Sequence, residues 1–352
     1  MSDQADVLNV SSAFLSSVAG TGFAGYSVAR LKGDASNRSY HRVTRLADGA
    51  SWMVMKLAPE PLKSEEGQSA SAVSGLPFSE VAAYLKQGGV AVPEIVFEDL
   101  ERGFLILEDL GDVTLERALS TGGSRVELYQ WAIDVLVDMQ AFTTASPSPE
   151  NIAFKRSFDT DLLIWEFEHF LEWGLVAQIG REPDTDDTVL LRRFFADVTS
   201  RLTGLRQGFV HRDFQSRNLM VKAGRMRVID FQDALQGPFI YDLVALLRDS
   251  YVKFEPEEAR YFVNYYREAG TGLLPDMPSL DELMTVFHLQ ALQRKLKDAG
   301  RFVYIDRVKH NPKFLPNIPQ SLAYVSEAFD ALPEYGDVRR VLARYLPEHF
   351  DR

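Results

Sequence analysis

The chain contains no cysteine, which excludes disulfides, thiolate metal sites and a cysteine nucleophile. Positive charge is also scarce. The 38 Lys and Arg face 50 Asp and Glu, and the net charge of −12 opposes non-specific attraction to nucleic-acid phosphates or anionic lipid. No nucleic-acid, membrane or obligate protein partner is therefore expected. Long apolar runs are missing too. The uncharged stretch from Val7 to Ala29 is broken by Asn9, by Ser and Thr and by glycines, short of the ~20 mostly apolar residues a membrane span needs. The opening MSDQAD has neither the basic nor the apolar region of a signal peptide, so a cytoplasmic location is expected. Three reaction signatures are absent as well: G-x-x-x-x-G-K-S/T, G-x-S-x-G and H-E-x-x-H. Their absence argues against Walker-type nucleotide binding, a serine-hydrolase elbow and a zincin site. Gly20-Thr-Gly22-Phe-Ala-Gly25 does satisfy G-x-G-x-x-G. However, a helical pattern precedes it and a strand follows, the reverse of a dinucleotide-binding turn.

What is present suits a soluble chain of 352 residues, with 46% hydrophobic and 25% charged residues, long enough for two domains or one bilobal unit. Val7, Val10, Phe14 and Val18 have helical spacing, and Gly20 would end that helix. Strand-like runs follow at Tyr26 to Leu31, Tyr40 to Thr44 and Trp52 to Leu57, an apparent antiparallel meander. Residues 59–77 read as a loose connection to a helix at Phe78 to Lys86, and two more strands are expected at 94–98 and 103–108. From Leu115 onward the period is 3.6, with helices expected at 115–119, 126–142, 162–176 and 189–205. The expected class is α+β: a β-rich N-terminal lobe with one main helix, 1–108, and a mostly helical lobe, 109–352, hinged near 108–112.

The richest segment is Val210-His-Arg-Asp-Phe-Gln-Ser-Arg-Asn-Leu-Met220, followed by Arg227-Val-Ile-Asp-Phe-Gln-Asp233. Phosphoryl transfer from a nucleotide needs a carboxylate to take the acceptor hydroxyl's proton and hard oxygen ligands to hold Mg²⁺ on the phosphates. Asp213 fits the first role, Asn218 and Asp230 the second. His-Arg-Asp-x-x-x-x-Asn followed by Asp-Phe-x matches the catalytic and metal loops of protein-kinase-like enzymes. Singly, each residue would pass for a loop, cap or turn residue; jointly they favour ATP and Mg²⁺ as cofactors. His211 is expected to hold the loop's shape and not to act as a base. Lys56, at the end of a strand, is the candidate for the α- and β-phosphates, with Glu80 as the partner of its ammonium. The loop Gly33 to Asn37 could fold over the phosphates, Gly33 allowing backbone approach and Ser36 or backbone N–H groups donating.

These residues resemble the aminoglycoside phosphotransferase and choline kinase-like superfamily, a protein-kinase-like fold that acts on small-molecule acceptors. The fit extends over nearly the whole chain. Gly33-Asp-Ala-Ser36 with Tyr40, Glu108-Asp-Leu-Gly-Asp112, Gly237-Pro238, Tyr241-Asp-Leu243 and Gln293-Arg294 are similar to the bacterial anomeric kinases of N-acetylmuramate and N-acetylglucosamine, which act in cell-wall recycling. The resemblance implies Asp213 as base, Asn218 and Asp230 as Mg²⁺ ligands, Lys56 with Glu80 at the phosphates, and the backbone of Glu108 to Leu110 at the adenine. It also implies that Asp242 ties down the catalytic loop. Gln215 and Lys295 stand where that group tends to carry histidine, which bears on the acceptor more than on the reaction.

Arg294, Lys297 and Arg301 have helical spacing and make either a solvated basic face or a site for an anionic acceptor such as a lactyl carboxylate. Asp184-Thr-Asp-Asp187 is either an ordinary surface loop or a lure for a polycationic aminoglycoside or choline. A homoserine-type kinase and a catalytically silent pseudokinase remain as alternatives. A protein-kinase role is disfavoured by Asp230-Phe-Gln and by the lack of an Ala-Pro-Glu after it.

Overall fold

The structure is a computed structural model that describes Val7 and residues 25–31, 38–57 and 76–351. The remainder of the N-terminal helical pattern, the loop Gly33 to Asn37 and most of the 59–77 connection lie outside the described residues.

Contacts divide the chain into two compact units, Met1–Ser74 with Ala91–Asp112, and Gly75–Val90 with Val113–Arg352. The first unit carries one five-stranded antiparallel sheet: β1 (Tyr26–Arg30), β2 (Ser39–Arg45), β3 (Ser51–Lys56), β4 (Ile95–Asp99) and β5 (Phe104–Glu108). Strand order is β1-β2-β3-β5-β4, so the first three strands are a meander and β5 inserts between β3 and the edge strand β4. Alternation explains β2, where His41 and Val43 are buried two residues apart. The interior strand β5 is a continuous apolar run, Phe104 to Leu107, buried throughout.

The second unit holds α1 (Pro77–Gln87), α2 (Leu115–Ser120), α3 (Arg125–Ala145), α4 (Thr160–His169), α5 (Thr185–Thr203), α6 (Tyr241–Leu247), α7 (Pro256–Gly270), α8 (Leu280–Lys309), α9 (Ile318–Ala331) and α10 (Gly336–Tyr345). Two short ribbons, β6 (Gln207–Val210) with β9 (Leu235–Pro238) and β7 (Leu219–Lys222) with β8 (Arg225–Val228), complete it.

Helix α1 lies in sequence among the strands of the first unit, yet it packs in the second. Phe78 packs against Phe231 with ring centroids 4.9 Å apart, and Tyr84 contacts Phe142 and Phe154 and donates its hydroxyl to the Ser146 carbonyl. Gly88 allows the approach, since a Cβ there would lie 2.2 Å from the Phe142 ring.

The helix expected over 162–176 is α-helical only to His169, and Phe170–Val176 continues as a π-helix. The same stretch crosses α8 closely. A Cβ on Gly300 would lie 2.8 Å from the Phe170 Cα, and one on Gly174 would lie 3.3 Å from the Gly300 Cα. Helix α8 itself, 30 residues long, starts on a Ser279–Glu282 capping box. It carries the polar residues that reach the loop between β6 and β7.

Candidate active site

The β6–β7 loop and the segment after β8 bring Asp213, Asn218 and Asp230 together. Asn218 donates its amide Nδ2 to the Asp213 carbonyl at 2.8 Å and lies 3.5 Å from Asp230 Oδ2. In return the Ile229 backbone N–H donates to the Asn218 carbonyl at 3.0 Å, so the two loops are stitched at the point where their functional side chains leave. Asp230 has φ of +67° and Arg212 +79°, left-handed values that cost energy in residues with a Cβ and are kept only where surroundings enforce them.

Most of the enforcing contacts are buried. The Asp242 carboxylate, at the start of α6, accepts the backbone N–H groups of His211 at 2.7 Å and Arg212 at 3.0 Å. Burial pushes the Asp242 carboxyl up to about 6. On the other side of the loop, Asp249 accepts the Ser216 N–H at 2.9 Å, and Arg217 forks onto Glu116 of α2 at 2.8 and 3.1 Å. His211 is fully buried, accepts the Asp213 N–H on Nδ1 and contacts the Ile229 carbonyl with Nε2 at 3.0 Å. With Nδ1 accepting, Nε2 carries the proton, and burial holds the ring's pKa below the ordinary value. This histidine is a neutral brace.

Asp213 is partly exposed, its side chain 42% accessible, while the Arg294 guanidinium beside it, 3.6 Å away, is 1% exposed. Burial opposes ionisation of Asp213, but the charges of Arg294, Lys297 and Arg212 outweigh it and hold the carboxyl below the usual range. Asp230 is steadied by Gln232, whose amide donates to Oδ1 at 2.9 Å.

The other residues singled out from sequence are placed as follows. In the first unit, Lys56 ends β3 opposite Phe104, and Glu108 ends β5 opposite Trp52. Leu110 is buried just beyond. Asp109 accepts both a fork from Arg42 at 2.6 and 3.0 Å and the Gly111 N–H at 2.9 Å, fixing the strand exit. Gly33, Ser36 and Asn37 lie outside the described residues. In the second unit, the Glu80 carboxylate accepts the Ile152 N–H, tying α1 to the loop before α4.

The basic face expected at Arg294, Lys297 and Arg301 is not a solvent face. Arg294 is buried against Tyr241 and the catalytic loop, Lys297 lies 3.5 Å from Asp298, and Arg301 sits over the Tyr304 ring. The reason is packing: α8 crosses the middle of the unit, so its polar stripe points inward. Of the acidic run 184–187, Asp187 is bound by Tyr345 and Arg344, a structural use.

A family model for phosphotransferase enzymes matches residues 27–283. The chain belongs to the phosphotransferase enzyme family. This phosphotransferase is 31% identical over 315 residues to the N-acetylmuramate/N-acetylglucosamine kinase of Pseudomonas aeruginosa, covering 89% of this chain and 88% of that one. It is 33% identical over 296 residues to the kinase of the same name from Neisseria meningitidis, covering 83% and 82%. Among solved structures, a choline kinase from Cryptosporidium parvum superposes with a TM-score of 0.60 at 11% identity over 96% of this chain and 97% of that one. An amicoumacin kinase in complex with AMP-PNP superposes with a TM-score of 0.56 at 15% identity over 94% and 96%. These likenesses show the protein-kinase-like α+β fold, and the kinase relatives make the phosphotransferase an enzyme. Among the described residues no helix is long and apolar enough to cross a membrane.

The donor set suits a magnesium ion that a nucleotide helps to hold. Among the described residues no three His, Cys, Asp or Glu side chains converge as a metal site, whereas Asp230 and Asn218 offer a carboxylate and a neutral amide oxygen. Mg²⁺ is commonly bound by one or two protein oxygens, with phosphates and water completing its shell.

Proposed function

We propose that the phosphotransferase moves the γ-phosphate of ATP to the anomeric hydroxyl of an N-acetylated hexosamine, N-acetylmuramate or N-acetylglucosamine, in cell-wall recycling in the cytoplasm. The observation that carries the reaction is the exposed Asp213 carboxylate, held in its loop beside Asn218 and Asp230. The acceptor class rests on the names of the relatives in Pseudomonas aeruginosa and Neisseria meningitidis.

Each residue has a defined task in this reading. Asp213 orients the acceptor hydroxyl and takes its proton; a carboxylate held ionised by Arg294 suits a reaction in which the proton leaves late. Asp230 and Asn218 would hold Mg²⁺, which when bound neutralises phosphate charge. Lys56 would pair with the α- and β-phosphates. Glu108 to Leu110 would present backbone groups to the adenine, and Gly33 to Asn37 would cover the phosphates.

The test is an acceptor panel of N-acetylmuramate, N-acetylglucosamine, kanamycin, choline and homoserine with Mg²⁺ and ATP, read by nucleotide consumption and by new phosphate esters. Sugar 1-phosphates are the expected products. Turnover of kanamycin, choline or homoserine with neither sugar used would remove the amino-sugar acceptor and leave the phosphotransferase chemistry in place.

A further inference from the structure

Four residues of α8, Gln290, Gln293, Arg294 and Lys297, are spaced as one helical face, and the first three are essentially without solvent exposure. A polar stripe inside a packed unit costs desolvation free energy unless each group is bonded. Its partners are therefore informative. Gln290 donates to Gln293, and Gln293 donates to the buried Glu166 of α4. Glu166 in turn lies 3.9 Å from the Arg212 guanidinium. Arg294 goes to the catalytic loop directly. Its Nη1 donates to the Arg212 carbonyl at 2.8 Å, its Nη2 lies 3.6 Å from Asp213 Oδ1, and its plane rests over the Tyr241 ring at 5.0 Å.

The placement of those contacts is what makes Arg294 distinctive. Arg212 is the left-handed residue immediately before Asp213, and a peptide in that conformation swings the next side chain away if it relaxes. Asp242 holds the N–H side of Arg212, and Arg294 holds its carbonyl side together with the Asp213 carboxylate. We propose that Arg294 is a positioning residue of phosphoryl transfer, a buried fork that fixes the strained Arg212 peptide and aims Asp213 at the acceptor hydroxyl. The inference rests on Asp213 being the base. It assigns Arg294 a task other than contact with the acceptor.

A fork is required because two directions must be held at once, which a lysine ammonium on a flexible stem does poorly. Misplacement of a reacting group by about 1 Å costs roughly 10²-fold in rate. Accordingly, Arg294→Gln is expected to lower kcat by about 10- to 100-fold, with KM for ATP changed by no more than about twofold. Arg294→Lys should recover part of the loss. The decisive measurement is a double-mutant cycle: in an Asp213→Asn background Arg294→Lys should have almost no further effect on kcat, because the group it aims is no longer a base. Should Arg294→Gln fail to fold, as judged by circular dichroism and melting, the Lys variant in the two backgrounds is read in the same way.

The outcomes are distinguishable. If Asp213→Asn retains wild-type turnover, the base assignment fails first. If Asp213→Asn is inactive but folded Arg294 variants keep wild-type kcat, or if the two substitutions multiply independently, the positioning role is overturned and Arg294 is a structural ion only. A rise in acceptor KM with kcat unchanged would also overturn it, in favour of direct acceptor binding.

Discussion

The two units handle charge differently. In the first, the connected ion pairs run from the interior to the surface: Arg42 forks onto the buried Asp109 and reaches Asp112, whose side chain is 57% exposed. In the second, Arg294, Lys295, Glu166, Asp242 and Asp249 are all buried around one loop. Surface pairs contribute little and are screened by salt, whereas buried charges are costly unless fully paired. The difference shows where preorganisation has been placed. The Arg42–Asp109 fork fixes the end of β5, while the loop that carries Asp213, the proposed base, is held by buried charge already in place before any reaction begins.

That contrast can be broken at graded points. The largest effect is expected at Asp213→Asn, which should leave ATP binding nearly intact while lowering turnover by on the order of 10²-fold or more. Turnover retained within a few-fold in the purified variant would remove Asp213 from the base role. Next come the proposed Mg²⁺ ligands: Asp230→Ala should weaken Mg²⁺-dependent nucleotide binding more than Asn218→Ala, because a carboxylate supplies a charge as well as an oxygen. Nucleotide affinity measured across an Mg²⁺ titration checks the order, and an equal or inverted ranking refutes it.

Asp242→Ala should destabilise the second unit by about 2–3 kcal/mol, since two buried N–H groups lose their acceptor, and should lower kcat as Arg212 relaxes. Thermal melting with parallel kinetics measures both, and an unchanged melting temperature would mean water replaces the carboxylate.

The smallest effect is expected in the strand unit. Burial opposes it, but the Arg42 fork helps hold the Asp109 carboxyl below its ordinary value, so the pair contributes stability above that value and loses it as pH falls through the lowered one. Arg42→Met should therefore cost about 1–2 kcal/mol at neutral pH. The gap to the wild type should close below the ordinary carboxylate range. A gap that persists in acid would point to lost packing by the Arg42 stem and not to lost charge.

The core of the proposed site is legible in sequence because it is local. Asp213, Asn218 and Asp230 lie on two consecutive loops joined through the β7–β8 ribbon, so their spacing in the chain is nearly their spacing in space. The strand-rich start and the helical remainder were likewise legible from the change of period at Leu115. The structure adds to the sequence reading where one element packs on another. The stretch Phe170–Val176 is π-helical and crosses α8 closely at Gly174 and Gly300, a contact that no window of sequence contains. Helix α1 is strand-flanked in sequence but packs with the helical unit through Phe78 and Tyr84.

By itself the sequence determined the phosphotransferase family, the alternation of strands and helices, and the loop-holding role of His211, since all of these depend on residue type and short-range spacing. Only the tertiary structure decided what holds that chemistry still. Arg294 reaches the Arg212 carbonyl across 82 residues, Arg217 reaches Glu116 across 101, and Arg42 reaches Asp109 across 67. A helical stripe of Arg and Lys looks the same in sequence whether it meets water or a buried loop. Which of the two it meets is set by the packing of α8 through the centre of its unit, a property of the folded chain as a whole.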